Sequence, residues 1–156
     1  MGHYIANLRD IEFCLFDLLG RESILGKGIY SDVDRATAMG MLEEVKRLCE
    51  NDLAASFIEG DRIGTDFNKA TGDVKLPESF KKSYRAYVDG GWGMVDVPAE
   101  LGGTELPPSV RWAIAEMVLG SNPAIHIYAS GFAFAQVAHV LGDEKQKKIA
   151  KHMVEK

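Results

Sequence analysis

Apolar residues recur at helical spacing along most of the chain. Between residues 4 and 19, Leu8, Ile11, Leu15, Phe16, Leu18 and Leu19 share one face, while Arg9, Asp10, Glu12 and Asp17 take the other. Gly20 is a natural stop for that helix. Residues 20–31, with Gly26 and Gly28, read as a loop. A second helix is expected from about residue 34 to 58, with Ser31 or Asp32 as N-cap and Asp34 in the first turn. Its stripe is Ala38, Met41, Leu42, Val45, Leu48, Cys49, Ala55, Phe57 and Ile58, and Gly60-Asp61 ends it. Residues 60–76 read as an exposed loop that can form a small hairpin turning at Thr71-Gly72, between Phe67 and Val74.

Pro77 opens the next helix, with Phe80, Tyr84, Tyr87 and Val88 on one face and Lys81, Lys82 and Arg85 on a solvated one. Gly90, Gly91 and Gly93 close it, and Trp92 is expected to pack over the turn. Met94–Val97 reads as extended because Pro98 follows. A helix from Pro107 or Pro108 to Leu119 carries Val110, Ile114, Met117 and Val118, with Trp112 on its flank. Residues 123–141 form the most apolar stretch of the chain; Gly142 closes it, and Asp143 caps a lysine-rich helix over 143–155. The expected fold is therefore all-α, an up-and-down helical bundle of about six helices. Two units are drawn: an N-terminal extension helix and loop over 1–33, and a helical domain over 34–156.

The 123–141 stretch is long enough to test as a membrane span. It contains His126, Ser130, Gln136 and His139, so a buried core helix is the expectation, with no membrane span. Its apolarity exceeds that of an ordinary surface helix.

At 156 residues the chain buries roughly two thirds of its unfolded surface and needs no staple. A net charge of −5 argues against nucleic acid, which calls for a basic face. Cys14 and Cys49 show no metal or disulfide spacing, so each is expected to be a core thiol in a reducing, cytoplasmic setting. No secretory leader is evident at the N-terminus. The histidines His3, His126, His139 and His152 form no metal-ligating spacing, and no serine sits on a strand-to-helix elbow. Gly26-Lys27-Gly28 is too short for a phosphate loop, and the other glycine clusters do not lead from a strand into a helix. On the residues alone the chain is a helical domain with one very apolar helix.

A longer pattern says more. Gly91-Trp92 leads to Val97-Pro98-Ala99-Glu100-Leu101-Gly102-Gly103; Glu116 follows on the next helix, then Ser121-Asn122-Pro123, and then Leu141-Gly142-Asp143-Glu144-Lys145-Gln146-Lys147-Lys148. In order and spacing this resembles the N-terminal helical domain of the acyl-CoA dehydrogenase family. The first thirty residues, with Tyr4, Asn7, Arg9-Asp10 and Phe13, resemble the N-terminal extension of its long members, above all the broad-specificity fatty-acyl and methylthiopropanoyl-CoA enzymes.

The resemblance implies FAD-dependent dehydrogenation of a fatty-acyl-CoA thioester to an enoyl-CoA, with electron-transfer flavoprotein as redox partner and a homo-oligomeric parent. It also implies that the flavin and the catalytic base belong to a middle β-domain and a C-terminal domain that this chain lacks. The chain then reads as a fragment that is inactive alone and binds no FAD, with no catalytic residue of its own. What it implies for this chain is a wall of the acyl pocket at Tyr128, Ala129 and Phe132. The alternatives are a stand-alone helical interaction module and a structural subunit covering an apolar face of a partner. A cut domain should also expose an apolar patch to which 123–141 contributes.

Overall fold

The computed structural model describes residues 2–155, without the side chain of Asp96. It is helical almost throughout: α1 (Leu8–Glu12), α2 (Arg35–Leu48), α3 (Phe57–Ile63), α4 (Glu78–Asp89), α5 (Pro108–Ser121), α6 (Pro123–Tyr128), α7 (Ser130–Leu141) and α8 (Glu144–Glu155). The only described strands are β1 (Asp66–Phe67) and β2 (Val74–Lys75), antiparallel, with Asp66 opposite Lys75 and Phe67 opposite Val74. Gly72, at φ 77°, makes the turn between them. The expected all-α bundle is thus found, hairpin included.

The core lies between α2 and α5. Ala38, Leu42, Val45, Cys49 and Leu53 face Val110, Ile114, Met117 and Val118, all of them essentially buried. The helix expected over 34–58 is interrupted. Asp34, not Ser31 or Asp32, is its cap: the Asp34 carboxylate accepts from Thr37 N–H at 2.7 Å. At Cys49–Leu53 the chain widens into a π-turn, then resumes as α3 through Gly60 to Gly64, whose φ of 66° ends it. A wider turn shifts the backbone bonds, so carbonyls point away from their usual partners. Side chains from two other helices take them up. Ser121 Oγ donates to Cys49 O at 2.6 Å, Ser83 Oγ to Asp52 O at 2.6 Å, and Asn122 Nδ2 to Leu53 O and Ser56 Oγ, each at 3.1 Å. All four polar side chains are buried.

The N-terminal segment straps the same junction. His3 stacks on Phe57 with ring centroids 4.4 Å apart and donates from Nε2 to Ser121 O at 2.8 Å. Tyr4 lies over Gly120, where a Cβ would overlap its ring, and Ala6 N–H donates to Glu50. α1 continues as a second π-turn, Phe13–Leu18, and ends at Gly20 as expected, at φ 57°.

Three expectations are overturned. Cys14 is exposed; only Cys49 is the core thiol. Residues 92–96 coil as a 3-10 turn rather than extending, and only Val97, before Pro98, is in an extended conformation. The tight Leu101-Gly102-Gly103 turn folds onto this segment: Gly103 N–H donates to Pro98 O, and a Cβ on Gly103 would overlap the Val97 carbonyl. Third, 123–141 is no buried core helix. It breaks at Ala129 into α6 and α7, and only Ile125, Ala129 and Ala135 are buried. Ile127, Phe134, Val137 and Leu141 point outward along one seam, with Leu141 80% exposed. One face of the segment packs on the bundle; the other meets no part of the described chain. 123–141 thus carries exposed apolar side chains along its outer face. α8 is capped reciprocally as Asp143 predicts, its carboxylate accepting from Gln146 N–H and its own N–H donating to Gln146 Oε1, both at 2.8 Å.

Asn122→Ala leaves both Leu53 O and the Ser56 hydroxyl without their donor. It should lower unfolding free energy by about 2–3 kcal/mol in urea titration, while Asn51→Ala, on the exposed side of the same turn, should change it by less than about 0.5 kcal/mol. Equal midpoints for the two would show that water, not Asn122, satisfies the carbonyls. A second prediction concerns pH. Burial first, and the Glu50 charge second, push the Cys49 thiol from 9.0 to about 12. Burial, then the charges of Cys49, Glu116 and Glu50, push the Tyr4 hydroxyl from 10.0 to about 12. The folded state holds both protons more tightly than the unfolded one. That stability is intact below the unfolded values and should fall as pH rises from about 9 toward 12. At about pH 8 a thiol reagent should titrate Cys14 alone in the native protein and both cysteines in urea.

Candidate functional site

The break between α6 and α7 sets the three residues expected to form a pocket wall. Ser130 Oγ donates to Ile127 O, and Phe132 N–H bonds to Ala129 O three residues back, so the chain tightens at Ala129. Ala129 turns inward beside Ile125 in the core. The Phe132 ring lies against Gly93, whose missing Cβ makes room for it. Tyr128 is about half exposed and stands edge-on to Phe80 at 5.0 Å and to Tyr84 at 6.3 Å; Phe80 and Tyr84 stack on each other at 6.5 Å.

This aromatic cluster borders two cavities. One, of about 380 Å3, lies between α4, α7 and α8 and is walled by Tyr84, Val88, Met94, Tyr128, Phe132 and Met153. The other, of about 440 Å3, lies between α3, the foot of the hairpin and the start of α6, against Phe57, Leu76, Pro77, Phe80, Asn122 and Tyr128. Tyr128 and Phe132 thus meet in one cavity, while Ala129 stands one layer behind, in the core. The helical stripe Phe80, Tyr84, Tyr87, Val88 was expected simply to pack. Tyr87 does so, but Phe80 also lines the α3 cavity, and Tyr84 and Val88 sit at the edge of the α8 cavity. Their sequence signal is the same as that of core residues, so periodicity alone cannot separate them.

The two cavities are mostly apolar and carry little charge. Burial holds the Tyr84 hydroxyl above its ordinary value, so it remains a neutral donor. Among the described lining residues each cavity has one carboxylate, Asp61 or Glu155, and no lysine, arginine, histidine or cysteine. Nothing there pairs a nucleophile with a base. A larger and more polar cleft, of about 610 Å3, is lined by Glu100, Glu105, Arg111, Gln136, His139 and Lys147 and includes none of Tyr128, Ala129 and Phe132. His126 and His139 do not come together, and among the described residues no three His, Cys, Asp or Glu side chains gather to hold a metal. The arrangement can bind an apolar group.

No family profile matches the chain. It is 50% identical over 150 residues, 96% of its length, to a broad-specificity linear acyl-CoA dehydrogenase of Mycobacterium tuberculosis, and 36% identical over 115 residues to a 3-methylmercaptopropionyl-CoA dehydrogenase of Ruegeria pomeroyi. It spans only 24% and 19% of the length of these curated relatives. Sequence similarity along almost its whole length, on an all-helical fold, places this chain in the acyl-CoA dehydrogenase family as the counterpart of one part of its long members.

Proposed function

We propose that this chain is the N-terminal helical domain of a flavin-dependent acyl-CoA dehydrogenase, and that it supplies part of the wall that holds the acyl chain. The observation that carries this reading is the 50% identity, maintained over 96% of the chain, with a dehydrogenase of linear acyl-CoAs. The whole enzyme would remove hydrogen from Cα and Cβ of an acyl-CoA thioester to give the enoyl-CoA. Electron-transfer flavoprotein would be its redox partner, in a reducing cytoplasm.

Gly93 and Gly103 offer no cradle for the flavin that the family uses. The space beside Gly93 is filled by the Phe132 ring and that beside Gly103 by the Val97 carbonyl, so neither glycine serves as a phosphate cradle. The catalytic base is likewise assigned outside this chain. What the chain contributes is shape: Tyr128 and Phe132 form an aromatic boundary, and Ala129 fixes how deep that boundary stands. An apolar wall selects chain length by volume, at roughly 1–3 kcal/mol per methylene.

The outward seam of Ile127, Phe134, Val137 and Leu141 fits the same reading as a surface covered by other parts of the parent enzyme. Length and composition would let 123–141 cross a membrane. Its break at Ala129 and its His126, Gln136 and His139 favour a protein covering over lipid. A stand-alone interaction module would keep this seam but leave the two aromatic cavities without an occupant.

Two measurements test the reading. In the dehydrogenase that carries this domain, Ala129→Phe should push the wall forward and reduce kcat/KM by about 10–200-fold per excluded methylene on the longest linear acyl-CoAs, sparing short ones. An unchanged chain-length profile removes Ala129 from the wall. The 156-residue chain alone should self-associate at high concentration in sedimentation, and Leu141→Glu should return it toward its 17.1 kDa monomer. A strict monomer in the unmutated chain counts against a covered seam.

A further inference from the structure

We propose that the hairpin of β1 and β2 is a hinged lid over the α3 cavity, and that an apolar group bound there closes it by seating Phe67 and Val74 on the cavity mouth. The group is the hydrocarbon part of an acyl thioester. For that ligand the proposal rests on the acyl-wall reading, to which it adds a moving element outside α6 and α7.

Side chains alternate along a strand, so Thr65, Phe67, Val74 and Leu76 fall on one side of the hairpin, and Asp66 and Lys75 on the other. The inner pair, Thr65 and Leu76, already lines the cavity of about 440 Å3. The outer pair, Phe67 opposite Val74, runs past the cavity and is more than half exposed to water. The hairpin is therefore amphipathic, and its apolar side is the one that begins in the cavity. A hairpin that only turned the chain would have no use for an apolar pair on that side; a cover does.

Two narrow feet carry it. One is Gly64, directly after α3, at φ 66° and ψ −158°, a backbone region open to glycine. The other is Leu76-Pro77, directly before α4. Between them Asn68 N–H donates to Asp73 O, Gly72 N–H to Asn68 O and Thr71 Oγ1 to Asp73 Oδ2. These bonds stay inside the hairpin, and among the described residues no hydrogen bond or ion pair ties 65–76 to the helices. It can tilt as one body about its feet without breaking a bond to the bundle.

A ligand shifts such an equilibrium only through contacts that one state has and the other lacks. Phe67 and Val74 supply them, since they reach the ligand only when the lid is down. The rest of the cavity is ready for an apolar group: Phe57, Pro77, Phe80 and Tyr128 wall it, and Asp61 is the one charge among its described lining residues.

The test is hydrogen exchange on the dehydrogenase that carries this domain, with and without an acyl-CoA analogue whose Cβ is replaced by sulfur, so that it cannot be dehydrogenated. Binding is read separately by equilibrium dialysis. The analogue should slow exchange across 65–76 by about tenfold or more. The double variant Phe67→Ser, Val74→Ser should lose that slowing and bind the analogue about tenfold more weakly. Asp66→Ser, on the outer side, should behave as wild type. All three positions are exposed, so the thermal midpoints should match. If the analogue binds and 65–76 exchanges as fast as before, the lid is wrong while the domain assignment stands. If 65–76 is already protected without the analogue, another part of the enzyme covers the hairpin, and the lid is again wrong. If the enzyme binds no acyl-CoA analogue of any length, the domain assignment fails and the lid with it.

Discussion

The structure depends on how the carbonyls of one irregular turn are satisfied. At Cys49–Leu53 the long second helix widens, and the carbonyls of Cys49, Asp52 and Leu53 accept from side chains of other elements, the bonds to Cys49 and Leu53 being buried. Ser121, Ser83 and Asn122 supply the donors. Those donors come from α4 and from the end of α5, so the turn fixes where three separate elements meet. The same end of α5 leads directly into α6, whose position then sets Tyr128 against Phe80. Hydrogen bonds that resolve a backbone problem thus also place the cluster of Phe80, Tyr84 and Tyr128.

Around that junction the glycines divide the labour. Gly93 and Gly103 are needed because other groups occupy the space a side chain would fill, the Phe132 ring in one case and the Val97 carbonyl in the other. Their clustering in the sequence resembles a nucleotide-binding pattern only superficially. Close packing of turn against helix explains them without a ligand. The apolar excess of 123–141 has a related explanation: one side is spent on the bundle and the cavities, and the other forms a seam that this chain does not cover.

Much of this was legible from residue order. The stop at Gly20, the hairpin at Thr71-Gly72 and the cap at Asp143 follow from local chemistry, and local chemistry decides them. The break in the second helix was not legible, because no residue between 49 and 56 forbids a continuous helix. Its cause lies in Ser83, Ser121 and Asn122, tens of residues away. The usual burial of free cysteine likewise marked Cys14 as a core thiol, yet it lies outside the apolar stripe of its helix and is exposed. Tyr128, Ala129 and Phe132 were reached through family resemblance; their helical spacing alone is equally that of ordinary core residues. The second cavity needed coordinates, since Leu76, Phe80, Asn122 and Tyr128 are brought together only by tertiary packing.

The N-terminal strap has a consequence for the order of assembly. His3 makes its hydrogen bond to Ser121 across 118 positions of sequence, and the carbonyls of residues 49 and 53 wait for donors about seventy positions downstream. During synthesis, α1 and α2 leave the ribosome well before Asn122 does. Until it emerges, the irregular turn must stay hydrated and the first residues have nothing to dock on. Residues 3–6, made well before α5, are therefore among the last to settle, and the domain's native packing becomes available only when α5 is complete.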